Sequence, residues 1–393
     1  MTRPTVFVEF SPSGGLFQFG AQLGQALAAD GRQVELWTGP DPELSFHTDG
    51  FSIRSVLPTW HPADQEVRSR AVRLIRRPLR AAQLVLAWIV LGALLIRSRP
   101  RAVVFSHWRF AFEPAFVAVY ARLLPRTAFA LIAHEPFPRS DAKDTSTVKS
   151  GRVLQACFAA AWQQLDVVFV LGSRTKELVQ DHWRPHCPVL VIEHGDEGAL
   201  DPEPDATTPV ADTAPVALFF GTWTAYKGID VLLDAFEHVR AERPDAELVM
   251  AGAVGADVDL PAVLARAESI GNVTTTTGYI PTDQVARIVG SARLLVTPYV
   301  RASQSGVVHL AYTFGRPVVA TEVGDLAEAV HDGENGLLVP PQDPAALAAA
   351  MLKLLTDPQL AAALGAAGHE HVAGAWQRTA TIVGDALKEA TTP

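Results

Sequence analysis

Val216-Ala217-Leu218-Phe219-Phe220-Gly221-Thr222-Trp223-Thr224-Ala225-Tyr226-Lys227-Gly228 decides how the chain is read. An apolar run forms a strand, a glycine ends it, a short loop delivers a lysine, and a helix is expected over 228–241. Downstream, strands are expected over 246–251, 272–276, 294–297 and 316–320, with a helix over 307–314 before the last. Upstream, a Pro-, Asp- and Thr-rich stretch over 201–215 interrupts the pattern and reads as a linker. Before it the same alternation runs through strands over 6–10, 34–38, 102–106, 128–133, 167–171 and 189–193. A helix over 17–29 closes on Asp30-Gly31-Arg32. Alternating strands and helices signal a parallel sheet with crossover helices. Two such series joined by a linker imply an α/β chain of two Rossmann-like, doubly wound domains facing a cleft. Functional groups then belong on the strand-to-helix loops, at the carboxyl ends of the strands.

Composition agrees with two buried cores: 393 residues, of which 48% are hydrophobic and 19% charged. Cys157 and Cys187 lack metal or redox spacing, which suits a reducing compartment. The start of the chain lacks a signal-peptide pattern, so a cytoplasmic location is expected. The net charge is −9 but unevenly spread. No acidic residue stands between Glu66 and Glu113, whereas Arg68, Arg70, Arg73, Arg76, Arg77, Arg80, Arg97, Arg99 and Arg101 all do. The apolar run over 81–96 between the two clusters is short for a membrane span, which needs roughly 20 residues. Two readings are open: a core helix with solvated ends, or an interfacial surface meeting anionic lipid headgroups at the inner membrane face. No nucleic-acid partner is expected.

Four loops are candidates for chemistry. Ser11-Pro12-Ser13-Gly14-Gly15 opens a helix, and its glycines allow close backbone approach to a ligand, although the pattern is not a dinucleotide fingerprint. Lys227 stands just before a helix, where a lysine can serve as a point charge on phosphate, in a chain where lysine is scarce and arginine carries most of the positive charge. Ser305, Gly306 and Val307 begin a helix whose amides and dipole suit a diphosphate; a plain N-cap serine is the competing reading. His134 ends a strand in Leu131-Ile132-Ala133-His134, a place for polar work on a substrate, and His107 has a similar setting. Asp257-Val258-Asp259 looks like a metal-binding pair by chance only, and no metal is expected.

These pieces in order resemble family 4 of the glycosyltransferases, which has the GT-B fold, over nearly the whole chain. The resemblance rests on Gly14-Gly15, the Asp30-Gly31-Arg32-Gln33-Val34 exit, Val170 through Lys176, Ile192-Glu193-His194-Gly195 and Gly221 through Gly228. It continues through Thr277-Gly278-Tyr279-Ile280-Pro281, Gly315 through Thr321 and Asp332 through Val339. It implies retaining transfer of a sugar from a nucleotide-diphosphate donor, with no cofactor and no essential metal. By position, Lys227 and the amides of Ser305, Gly306 and Val307 would bind the diphosphate. Gly14 and Gly15 would approach it from the other domain, His134 would stand beside the transferred sugar, and Tyr279 and Ile280 would meet the base. It also implies an acceptor-binding domain over 1–200, a linker over 201–215, a nucleotide-sugar domain over 216–375, and a last helix over 376–393 crossing back.

Two departures stand out. The family's arginine after the strand-ending glycine is Thr222 here, and its glutamate pair falls on Ala302 and Leu310. Gln304 or His309 is expected to supply the lost polar contacts. The acceptor is expected to be a lipid-linked or polysaccharide-precursor sugar, with a soluble natural product as the alternative. The rivals are a GT-B partner protein that has lost catalysis, and an epimerase or phosphorylase on the same fold.

Overall fold

The computed structural model describes residues 3–46, 48–59, 70–108, 110, 112–136, 152–200 and 207–392. Arg68 and positions 201–206 of the expected linker lie outside them. The chain forms two compact units. Among the described residues, the first holds 3–136, 152–193 and the chain from Trp376, and the second holds 194–200 and 207–375.

In the first unit the elements run β1 (Thr5–Val8), α1 (Gly15–Ala29), β2 (Val34–Thr38), β3 (Phe51–Ser55), α2 (Arg70–Ser98), β4 (Ala102–Phe105) and α3 (Glu113–Leu123). They continue with β5 (Ala128–Ile132), α4 (Arg152–Trp162), β6 (Val167–Val170), α5 (Ser173–His182) and β7 (Val189–Val191). All the strand pairs are parallel, in the order β3-β2-β1-β4-β5-β6-β7. The chain steps outward from β1 to β3, then restarts on the other side of β1 with β4. In parallel sheets crossovers are right-handed almost without exception, so a reversal of this kind goes with helices on both faces. Trp88 of α2 is a centre of this core: fully buried, stacked on Phe105 and Phe116, its Nε1 donating to Glu113 Oε1 at 3.2 Å. Burying a large apolar side chain of this kind is worth roughly 2–3 kcal/mol.

The second unit repeats the plan. Its elements are β8 (Val216–Phe220), α6 (Ile229–Glu242), β9 (Glu247–Gly252), α7 (Leu260–Ile270), β10 (Val273–Thr277), α8 (Thr282–Ser291) and β11 (Leu294–Thr297). They continue with α9 (Gly306–Thr313), β12 (Val318–Thr321), α10 (Leu326–Ala329), β13 (Gly336–Val339), α11 (Pro344–Thr356) and α12 (Pro358–Val372). The parallel order β10-β9-β8-β11-β12-β13 reverses between β8 and β11. Helix α13 (Ala375–Ala390) then leads into the first unit's C-terminal part.

Several expected strand ends move for physical reasons. The ladder of β7 stops at Val191 rather than at 193: the Glu193 amide donates to Thr379 Oγ1 at 3.0 Å, and its carboxylate pairs with Arg378 on α13. β12 begins at Val318 rather than at 316, because Arg316 is a buried side chain donating to the carbonyls of Thr208 and Gly290. Burial pushes that guanidinium down to about 10. Arg293 similarly reaches Leu355 O at 2.6 Å and the Thr213 carbonyl, which ties the segment before β8 to this unit. β3 was not expected at all. It is an edge strand with only Phe51 buried, so it carries no apolar run to read.

Candidate functional site

In an open parallel sheet the loops leaving two neighbouring strands diverge where the strand order reverses, and leave a crevice at their carboxyl ends. In the second unit those loops follow β8 and β11, and they hold Gly221 through Gly228 and Pro298 through Ser305. The fold therefore brings together two of the candidate stretches.

Lys227 sits in a single turn of 3₁₀ helix, Ala225–Lys227, which Gly228 ends in the left-handed region at φ 69°. A β-carbon on Gly228 would collide with the Pro298 carbonyl, so the two loops touch backbone to side-chain position with no space to spare. Gly221, at φ 99°, likewise leaves room for its neighbours. A β-carbon there would stand 3.0 Å from Lys227 Nζ and 3.6 Å from a Val307 methyl. The lysine ammonium, the end of β8 and the start of α9 thus converge on one point.

Lys227 is only 8% exposed, and no carboxylate pairs with it among the described residues. Burial holds its ammonium below the ordinary lysine range, opposed in small part by Tyr226. The ammonium lies 5.3 Å from the centroid of the Tyr299 ring, a cation–π contact. The Tyr299 hydroxyl, in turn, is 3.2 Å from Ser305 Oγ, and the Tyr299 carbonyl accepts from Thr321 Oγ1 at 2.6 Å. Burial raises this phenol to about 12, so it stays protonated.

Ser305 occupies the N-cap of α9 but its side chain makes no capping hydrogen bond; the hydroxyl meets Tyr299 instead. The first amides of a helix have no intrahelical acceptor. A buried cation without an acid, next to a helix start uncapped by its own side chain, is an arrangement suited to a phosphorylated ligand. Tyr299, which touches both parts, was missed from sequence. Its place directly after Pro298 at a strand end was the available signal.

The remaining candidates divide. Thr222 is exposed beside the site, Tyr279 is exposed and Ile280 half-buried on the loop after β10, and Gln304 is half-buried just before Ser305. The His309 ring lies 4.3 Å from that of His194, and burial together with His194 and His371 keeps it neutral. His194 donates from Nδ1 to the Gly195 carbonyl at 2.9 Å and presents Nε2 to Glu197 Oε1 at 3.5 Å; burial holds its pKa down at about 4. Glu197, which sequence reading also passed over, lies along α9. Its amide donates to Thr313 Oγ1 at 2.7 Å, and its Oε1 would stand 3.8 Å from a β-carbon on Gly306. Asp257 accepts the Ala225 amide at 2.8 Å and Asp259 caps α7, so both carboxylates have structural work.

Gly14, Gly15 and His134 belong to the first unit. Gly14 is the N-cap of α1 at φ 87°, and its amide already donates to Glu43 Oε1 at 2.7 Å; Gln18 Nε2 donates to the same oxygen at 2.8 Å. A carboxylate of the chain itself therefore occupies the start of α1. Gly15 is exposed. His134 follows β5, is buried, and meets Phe19 edge-on at 4.7 Å.

Residues 214–357 match the family described as Glycosyl transferases group 1. A D-inositol 3-phosphate glycosyltransferase of Arthrobacter sp. (strain FB24) is 35% identical over 170 residues, covering 42% of this chain and 40% of that protein. The chain thus matches about two-fifths of that relative's length. Among solved structures, sucrose-phosphate synthase from Thermosynechococcus elongatus superposes with a TM-score of 0.70 at 21% identity, covering 98% of each chain. Anabaena HepE in complex with UDP gives 0.67 at 14% identity, covering 98% of this chain and all of that one (100%). At such identities the structural likeness speaks for the fold, and the family match for the second unit. Residues 214–357 are thus similar to the glycosyl transferases group 1 family, and the chain has a two-unit, parallel-sheet GT-B fold.

Proposed function

We propose that the protein is a retaining, metal-independent glycosyltransferase that moves a sugar from a nucleotide-diphosphate donor to an acceptor hydroxyl. The observation that carries this reading is Lys227, buried without an acidic partner beside the start of α9. A buried, uncompensated ammonium is costly, and a diphosphate is the partner that would offset it. As the glycosidic bond breaks, negative charge grows on the departing diphosphate. In this reading Lys227 and the amides of Ser305, Gly306 and Val307 stabilise it without reorganising, which is electrostatic catalysis. We assign His134 to the transferred sugar and Tyr279 and Ile280 to the base, on the family pattern. Because HepE was solved with UDP, uridine donors head the search. The acceptor in this reading is a lipid-linked or polysaccharide-precursor sugar at the inner face of a membrane.

The test is transfer itself, followed by proton NMR in the presence of EDTA once a binding nucleotide is known. A product with the donor's anomeric configuration, formed only when an acceptor is present, is the expected result. Removing Lys227 should lower turnover about 10²–10³-fold. Inversion, or a requirement for a divalent ion, contradicts the proposal. Donor conversion without acceptor identifies an epimerase, and dependence on free phosphate a phosphorylase.

A further inference from the structure

Helix α2 has two faces of opposite character. Leu84, Trp88, Leu91 and Leu95 are buried in the first unit's core. On the other side Leu79, Ala82, Leu86, Ile89, Ala93 and Ile96 recur at helical spacing, and all are exposed. Every exposed position from Leu79 to Ile96 is Ala, Val, Leu or Ile; Leu79 is 63% and Ile89 57% exposed. A helix packed on a core normally shows water a charged or polar face. This one shows an apolar strip about 26 Å long, from the rise per residue. Exposed strips of that kind mark contact surfaces.

Charge says what the surface meets. In the sequence, arginines flank the strip on both sides: Arg70, Arg73, Arg76, Arg77 and Arg80 before or at its start, Arg97, Arg99 and Arg101 after it, with no acid between Glu66 and Glu113. A second copy of the helix is a poor occupant. Laid antiparallel, the arginine-rich start of one would lie beside the arginine-rich end of the other; laid parallel, like ends would meet. Both bring cation to cation. Spanning is also disfavoured: Leu79–Ser98 is long and apolar enough to cross a bilayer, but its inner face is fixed in the core by Trp88 and Leu91.

We infer that the outer face of α2 docks the protein on an anionic phospholipid surface, with the helix lying in the interfacial plane. The apolar strip enters the headgroup boundary and the flanking arginines meet lipid phosphates. This deepens the lipid-linked-acceptor reading and is independent of donor binding.

The experiment is flotation of the whole protein with phosphatidylcholine vesicles, with and without phosphatidylglycerol. Three forms are compared: wild type, Leu86→Asp/Ile89→Asp, and Arg97→Gln/Arg99→Gln. Thermal unfolding verifies that the variants are folded, and nucleotide titration verifies that the donor site is intact. Wild type is expected to float with phosphatidylglycerol vesicles and not with phosphatidylcholine alone. The aspartate pair should abolish binding, and the glutamine pair should lower it about fivefold per arginine. No binding to phosphatidylglycerol vesicles, or equal binding by the folded aspartate variant, overturns the inference. So does a concentration-dependent dimer that the aspartate pair dissociates. Nucleotide affinity kept alongside such a result refutes the membrane face alone.

Discussion

Replacing Lys227 by methionine should make the unliganded protein more stable while removing its response to nucleotide. The ammonium is 8% exposed, faces no carboxylate among the described residues, and is held below its ordinary pKa mainly by burial. Methionine keeps most of the stem and removes the charge, so the Tyr299 ring at 5.3 Å still has a neighbour. Exchanging buried ionic groups for apolar ones of like volume has stabilised other proteins by about 1–4 kcal/mol. For a unit of this size that corresponds to a rise of about 2–4 °C per kcal/mol. The effect depends on pH with a definite sign. A lysine whose folded pKa is depressed binds fewer protons folded than unfolded between the two values. Wild-type stability should therefore rise as pH climbs through the window ending at the ordinary 10.5, and the variant should lack that rise. The assay is thermal unfolding of both proteins across alkaline pH, with and without nucleoside diphosphate, following the transition of the second unit. A variant less stable than wild type, or one still stabilised by the nucleotide to the same extent, refutes the reasoning.

Tyr299→Phe should weaken nucleotide binding modestly, by the loss of one hydroxyl contact to Ser305 worth about 1 kcal/mol, whereas Tyr299→Leu also removes the ring and should shift the alkaline limit of binding to lower pH. Identical pH limits for the two variants in calorimetry would count against a cation–π role. Gly228→Ala should destabilise the second unit by about 2 kcal/mol or more in denaturant melts, since its β-carbon meets the Pro298 carbonyl at a left-handed φ; a shift within error would show that the two loops can part. His194 is held neutral by burial with a pKa of about 4, so the unfolded chain gains its proton first on acidification. Stability should fall as pH drops from about 6.5 towards 4, and His194→Gln should flatten that part of the profile.

The β8 loop was readable because every part of it is local: an apolar run, a glycine, a lysine and a helix in sequence order. The same holds for the start of α9 at Ser305 and Gly306. What sequence did not show depends on contacts between distant segments. Tyr299 reads as an ordinary aromatic after a strand until the fold sets its ring against Lys227 and its hydroxyl against Ser305. Glu197 looks like one more acid in a loop, and only the packing of that loop along α9 buries it. Gly14 and Gly15 read as glycines that let backbone approach a ligand, and the sequence does not show that Glu43, 29 residues away, accepts the Gly14 amide. His309 was expected, with Gln304, to supply lost polar contacts; that its ring lies against His194, from the segment before β8, is likewise a contact the sequence does not show. The arginines flanking α2 were plain in the sequence. That every exposed position from Leu79 to Ile96 is apolar became visible only once burial separated the two sides of the helix.

The central claim is that Lys227 and the start of α9 form a diphosphate site. Calorimetric titration of UDP, GDP, ADP, CDP and dTDP, without metal, into wild type and Lys227→Ala tests it most directly. Binding of one nucleotide, weakened at least about tenfold by the substitution, is the expected result. Failure of every nucleotide to bind the folded wild type, or equal affinity in the two proteins, would contradict it and leave a non-catalytic GT-B partner protein as the better account.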